Sequence, residues 1–205
     1  MIMHLTKADE TLHQIIGAAL DIAMVEGIAQ MSFGKVARRL GLSKSGVFAR
    51  TGSLQRLQQA VLDEYDRRFV REVVEPVRAA QRGLPALVQH LRTLASRAAR
   101  HPPGVGCLYL SGAFECASHG SALHERLQYG LARWRALLRA MVRDAIALGQ
   151  LAPDTNREQL TFELHSLVVG MAHEARFLHD PATSGRMVQG CERLLATYAP
   201  SPMLR

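Results

Sequence analysis

The sequence predicts an all-α fold of about nine helices, a three-helix N-terminal domain followed by a larger helical one. Three observations carry that expectation. Proline is absent before Pro76 and then recurs at Pro85, Pro102, Pro103, Pro153, Pro181, Pro200 and Pro202, cutting the remainder into segments of helical length. Apolar residues recur at the helical period in several of those segments. Nowhere do β-branched residues alternate with polar ones over more than a few positions, so no strand is expected.

The first helix is predicted over residues 7–26, where Leu12, Ile15, Ile16, Ala19 and Ala23 share one face. Thr6-x-x-Asp9 caps its start, and Gly27 stands where a left-handed stop is wanted. Two short helices follow, over 33–40 and 44–50. Ser32 caps the former, Gly41 makes the turn and Ser43 caps the latter. Val36, Ala37 and Leu40 form the inner face of the first short helix, Val47 packs inward from the second, and Leu42 is expected to plug between them. A longer helix over 54–75 runs up to Pro76. Leu84, Leu87, Val88, Leu91, Leu94, Ala95 and Ala98 draw the apolar stripe of a helix over 84–99. Helices over 105–117 and 121–148 fill the space from Pro103 to Pro153. Thr155-x-x-Glu158 reads as a capping box for 156–179, and Asp180-Pro181 as a cap and first-position proline for 182–198. The closing SPMLR reads as a loose tail.

At 205 residues the chain holds one domain or two small ones, and 48% hydrophobic against 21% charged residues supplies a real core and argues against disorder. The longest uncharged run near the middle, His101 to Phe114, contains two prolines and three glycines and falls short of the ~20 apolar residues a membrane helix needs. No membrane partner is expected. The first residues carry charge by Lys7 and no apolar core, so no secretory leader is expected either. The three cysteines, Cys107, Cys116 and Cys191, are odd in number and form no C-x-x-C pair, which points to reduced thiols in a cytoplasm.

Net charge is +7 with a pI near 9.9. Between Gly27 and Leu62 stand Lys35, Arg38, Arg39, Lys44, Arg50 and Arg56, with no acidic residue among them. A solvated surface ordinarily mixes signs, so a one-sign block inside a helical region is the footprint of an anionic partner. Within it, SFGKVARRLGLSKSGVFAR (32–50) has the parts of a helix-turn-helix: a cap, a small Ala37 where two helices cross, a turn glycine and a second cap. In that motif the second helix enters a major groove with its N-terminal residues at the base edges.

Taken with helix 7–26 and its Glu26-Gly27 end, that segment resembles the N-terminal DNA-binding domain of the TetR/AcrR family of transcriptional regulators, over about residues 10–65. The remainder agrees with the family in length and helical content. The resemblance implies a DNA-binding domain at 1–53 and an effector-binding and dimerisation domain at 54–205. It implies a cytoplasmic homodimer that reads a pseudo-palindromic operator in double-stranded DNA and acts as a repressor released by a small-molecule effector. By position, Lys44, Ser45 and Gly46 would face base edges, with Lys44 reaching guanine O6 or N7. Ser32, Lys35, Ser43, Phe48 and Arg50 would meet the sugar-phosphate backbone. Two departures stand out: Thr51 replaces the family's usual aromatic, which predicts looser docking of the recognition helix, and Leu54 replaces a lysine that would touch phosphate. Arg50 and Arg56 lie close enough to replace that charge.

The resemblance also implies that the last two long helices pair in the dimer. Leu160, Leu164, Leu167, Val168, Met171, Ala172 and Ala175 form an apolar stripe there, suited either to that pairing or to a plain core. Tyr109, Phe114, Trp134, His165, His173 and Phe177 are the candidate effector-pocket residues, being aromatic or polar-tipped groups in apolar helical context. No cofactor, catalytic group or metal is expected. Glu10-x-x-His13 is a single such spacing where a di-iron bundle needs two, and His124-Glu125 and His173-Glu174 lack the second histidine of a zinc helix. Two alternatives remain: a metal- or thiol-responsive sensor gathering Cys107, Cys116, His119 and His124, and a helical binding module whose basic block meets acidic protein or membrane.

Overall fold

The computed structural model describes residues 6–100, 106–116 and 120–200. The expected tail at 201–205, Pro102, Pro103 and the outermost residues of the helix expected over 105–117 lie outside that range. The described residues form helices α1 (Lys7–Glu26), α2 (Phe33–Leu40), α3 (Lys44–Thr51), α4 (Leu54–Phe69), α5 (Glu75–Arg78), α6 (Leu84–Arg100), α7 (Leu108–Glu115), α8 (Ala122–Ala147), α9 (Arg157–Phe177) and α10 (Thr183–Thr197), and no strand. The chain divides into two compact units, Met1–Arg68 with Cys107–Tyr129, and Phe69–Gly106 with Gly130–Arg205.

In the first unit α1 packs on α2 and α3, and α2 on α3. Its core includes Ile15, Ala19, Ile28, Val36, Val47, Leu57, Leu62 and Leu108, all fully or almost fully buried. Thr6 and Asp9 close a reciprocal box: the Asp9 amide donates to Thr6 Oγ1 at 3.2 Å and the Thr6 amide to the Asp9 carboxylate at 3.0 Å. The other end departs from expectation. Gly27 has positive φ but extended ψ (103°, 150°), so the chain leaves α1 without a left-handed helical turn. The Glu115 carboxylate occupies the space a Cβ would need there, and it accepts the Ala29 amide at 3.4 Å. Gly27→Ala is therefore expected to lower stability by about 1–3 kcal/mol, through backbone strain and displacement of Glu115. A urea midpoint equal to wild type would show that the loop relaxes freely.

In the second unit α10 packs on both α6 and α9. Val73, Leu87, Leu91, Leu94, Leu138, Val142, Leu151, Leu160, Leu164, Val168, Met187 and Leu195 make up its core. The α9 stripe is thereby resolved: Leu160, Leu164, Val168 and Met171 are interior, with Leu167, Ala172 and Ala175 partly covered. The outer face of α9 carries Phe162, Ser166, Gly170, His173 and Phe177 instead.

Several expected ends shift for local reasons. The helix from residue 54 does not stop before Pro76. It passes through a widened turn, Val70–Val74, in which the Glu75 amide returns to the Val70 carbonyl, and continues as α5. Proline cannot donate to the carbonyl four residues back and clashes with it, and an i→i+5 turn relieves both problems. Thr155 does not cap α9. Its hydroxyl donates to the Ala152 carbonyl at 2.6 Å, and Asn156 accepts the Gln159 amide at 3.0 Å instead. Asp180 accepts the Ala182 amide at 2.8 Å in a turn that precedes α10, so Pro181 lies before the helix and not at its first position.

Candidate nucleic-acid interface

The two short helices are set by three local devices. Ser32 Oγ accepts the Lys35 amide at 3.3 Å and Ser43 Oγ the Gly46 amide at 3.0 Å, each satisfying one orphan donor of a helix start. Between them Gly41 takes the left-handed conformation (φ 65°, ψ 27°), and the Leu42 amide reaches back to the Ala37 carbonyl at 2.9 Å. That stop turns Leu42 outward, leaving it 38% exposed, so it does not plug between the helices. Leu40 is only partly buried, while Val36, Ala37 and Val47 are interior as expected. Thr51 is buried and its hydroxyl donates to the Val47 carbonyl at 2.9 Å, which satisfies it without the bulk of an aromatic.

With α3 anchored through Val47 and Thr51, its other residues face solvent. Lys44, Ser45, Phe48 and Arg50 are exposed and Gly46 half-buried. Ser43 and Ser45 hydroxyls lie 3.1 Å apart. Phe48 meets Phe33 edge-to-face, ring centroids 5.8 Å apart, so the aromatic expected against sugar is braced from behind by α2. The Lys44 stem crosses the start of α2 so closely that a Cβ on Gly34 would lie 2.9 Å from its Cε.

The basic block divides into two sets. Lys35 pairs with Glu26 at 2.6 Å and with the Gln30 carbonyl at 2.8 Å, and Arg39 pairs with Asp21 at 3.3 Å. Both carboxylates lie on α1. Arg38, Lys44, Arg50 and Arg56 form no ion pair among the described residues, and these four hold the uncompensated charge. Lys35 is thus an anchored cation, and Ser32 is half-buried at the same helix start.

The six pocket candidates do not converge. Tyr109, in the first unit, donates its hydroxyl to Asp66 at 2.8 Å and accepts from Arg126, which also bonds Asp63 at 3.0 Å and Asp66 at 2.8 Å. Burial, with Asp66 beside it, pushes the Tyr109 phenol well above its usual range, and that hydroxyl is fully used within the unit. Phe114 is 81% and Phe177 73% exposed, the latter stacked on His173 at 5.7 Å. Trp134 and His165 meet as a half-buried pair in the second unit, ring centroids 4.8 Å apart. There the Trp134 indole donates to Nε2 of His90 at 3.3 Å. His90 was not among the candidates, although its position on the buried side of α6 beside Leu87, Leu91 and Leu94 could have flagged it.

Burial pushes the His90 imidazole down to about 4 from an ordinary 6.5. Its neutral form is the one the fold accommodates, so its contribution is complete above pH ~6.5 and is lost as pH falls toward 4. Between pH 7 and 4 that loss should be about 3 kcal/mol. Urea unfolding of wild type and His90→Leu at both pH values reads it as the difference between the two proteins, and equal losses would place the acid sensitivity elsewhere.

Of the metal-sensor set, Cys107 accepts from the Tyr65 hydroxyl at 3.5 Å and Cys116 lies 3.7 Å from the Ser121 hydroxyl, while His119 lies outside the described residues. Among the described residues no three of His, Cys, Asp and Glu converge as metal ligands would.

A family model described as "Tetracyclin repressor-like, C-terminal domain" matches residues 83–191, more than half of the chain. The fold is similar to a TetR transcriptional regulator from Chloroflexus aurantiacus, with TM-score 0.84, 21% identity, and coverage of 95% of this chain and 98% of that one. It is similar to SCO4454, a TetR-family transcriptional regulator from Streptomyces coelicolor, with TM-score 0.78, 19% identity, and coverage of 92% and 96%. A third similar structure is a cysteine-substituted TetR family regulator, CifR, complexed with 26-bp operator DNA, with TM-score 0.77, 22% identity, and coverage of 91% and 95%. No curated protein matches the chain in sequence.

Proposed function

This chain belongs to the TetR family of transcriptional regulators, and on that premise we propose that it is a homodimeric repressor released from a pseudo-palindromic operator by a small-molecule effector. Its family is one of regulators and not of enzymes. The observation that carries the reading is the exposed start of α3, where Lys44 and Ser45 face solvent beside a half-buried Gly46 while Val47 and Thr51 anchor the helix. Lys44 reads a guanine edge, and Phe48, Arg50, Ser32 and Ser43 set the register on the backbone. Lys35 acts at the phosphate only if it leaves Glu26. Arg56 and Arg50 supply the charge that Leu54 lacks. That CifR, of similar fold, is held in complex with operator DNA supports this reading.

Residues 1–53 are the DNA-binding part and 54–205 the effector and dimer part. The exposed face of α9, with Phe162 and Phe177 flanking Gly170, supports pairing of α9 and α10 with those of a second copy. Two-fold pairing would set the recognition helices about 34 Å apart, one turn of DNA. A cytoplasmic location accords with the described residues, in which no helix is long and apolar enough to cross a membrane. Release is a shift between two states of the dimer, bounded by the difference in the effector's affinity for them.

Hydroxyl-radical footprinting on DNA upstream of its own gene, with sedimentation of the complex, tests the proposal. Two protected half-sites about one helical turn apart, on a complex of two chains per duplex, are expected. A single protected half-site with one chain bound would contradict the dimer.

A further inference from the structure

The polar cluster of α6, α8 and α9 has a chemistry of its own. His90 is fully buried, and its Nδ1 has no hydrogen-bond partner among the described residues. Its Nε2 faces the Trp134 indole N–H, which can only donate. In neutral His90 the proton is therefore on Nδ1, and the ring holds a buried N–H that no described residue receives. Such an orphan donor is expensive in an apolar interior and asks for an acceptor. His165, whose ring is tilted against Trp134, has a buried Nε2 that is likewise without a partner among the described residues. Burial, aided by the Arg135 charge, holds its ring below the usual histidine range. The surroundings are apolar: Leu87, Leu91, Leu94, Leu164, Val168 and Met171 belong to the same core. Trp134 and His165 are only half-buried, so the cluster extends from the core toward solvent.

We propose that His90, Trp134 and His165 form the polar end of a ligand site that selects an apolar molecule bearing a carbonyl or carboxylate oxygen, received by His90 Nδ1–H with His165 as the second polar contact. The inference rests on the effector reading above and names the ligand's chemical class. His90 stays neutral at neutral pH, so it contributes a hydrogen bond and not a charge. Discrimination comes from leaving the donor unpaired when the oxygen is missing.

Trp134 is the only tryptophan of the chain, so its fluorescence reports the site directly. The full-length protein is titrated with cyclohexyl methyl ketone, cyclohexanecarboxylate and ethylcyclohexane, as wild type, His90→Phe and His90→Gln. The oxygen-bearing probes should bind ~10-fold or more tighter than the hydrocarbon. His90→Phe should erase that margin, and His90→Gln, which keeps an N–H donor, should restore part of it. Comparing the ketone with the carboxylate tells which oxygen is preferred. Equal affinity for all three probes in wild type would overturn the proposal, whether or not the variants fold, and would mean that water alone satisfies His90. Absence of binding by every probe would overturn it too. The same titration repeated on the protein–operator complex separates the two readings. Binding that depends on His90 but leaves DNA bound would refute effector release and keep the site, whereas release of DNA with no His90 dependence would do the reverse.

Discussion

Lys44→Ala is expected to weaken binding to the operator by about ten- to a hundredfold and to relax discrimination at one base step. The lysine is exposed at the first position of α3, where a groove-facing side chain reads base edges, and one good base contact contributes ~1–3 kcal/mol of discrimination. Arg50→Ala makes the contrast. Its guanidinium, exposed near the other end of the same helix and without an ion pair among the described residues, is positioned to meet phosphate. All DNA should then bind more weakly by a similar factor, and the slope of log affinity against log salt should fall by about one. Neither side chain touches the core, so both variants should unfold at the wild-type urea midpoint. Competition binding with single-base operator variants distinguishes them, and the same loss of discrimination from both would contradict the assignment of roles.

Val47→Asp is expected to abolish the interface by a different route. Val47 has no solvent exposure, and with Thr51 it holds α3 while the helix's polar side faces outward. A carboxylate there is stripped of water with no cation placed to receive it, at a cost of about 4 kcal/mol or more. Far-UV circular dichroism during urea titration should show early loss of helix, with operator binding lost in parallel. A folded Val47→Asp protein that still binds DNA would mean that α3 is not seated through this residue. Together with the Lys44 and Arg50 variants, it separates loss of contact from loss of the helix that carries it.

How much of this was legible in the sequence depended on the range of the interaction concerned. The starts of α1, α2 and α3 were readable because caps at Thr6, Ser32 and Ser43 act within three residues of themselves. Thr155 and Asn156 are adjacent oxygen-bearing residues, and only the geometry of the turn decides which of them caps α9. Passage of the helix through Pro76 was not legible, since it depends on a widened turn that no residue type announces. The same held for the basic block. Asp21 and Glu26 compensate Arg39 and Lys35 from outside the one-sign window, because α1 folds against α2.

The candidate sites divide along the same line. The helix-turn-helix follows from spacing within one short motif, and of the residues expected to face DNA from α3, Lys44, Ser45, Phe48 and Arg50 are exposed while Gly46 is half-buried. Aromatic character says nothing about which way a residue faces, so Phe114 and Phe177 proved exposed while Trp134 and His165 met. His90 escaped notice because its role depends on an indole 44 positions away. The family model covers 83–191, the stretch where the motif was silent.

Sequence-specific DNA binding through α3 can be measured in one titration. Fluorescence anisotropy of the wild-type protein is measured with DNA from just upstream of its own gene and with a scrambled duplex, at 50 and 200 mM salt. Binding to the upstream fragment should be at least ~10³-fold tighter than to the scrambled duplex, with affinity falling steeply as salt rises. Failure to bind either duplex, even at the lower salt, would contradict DNA binding through α3.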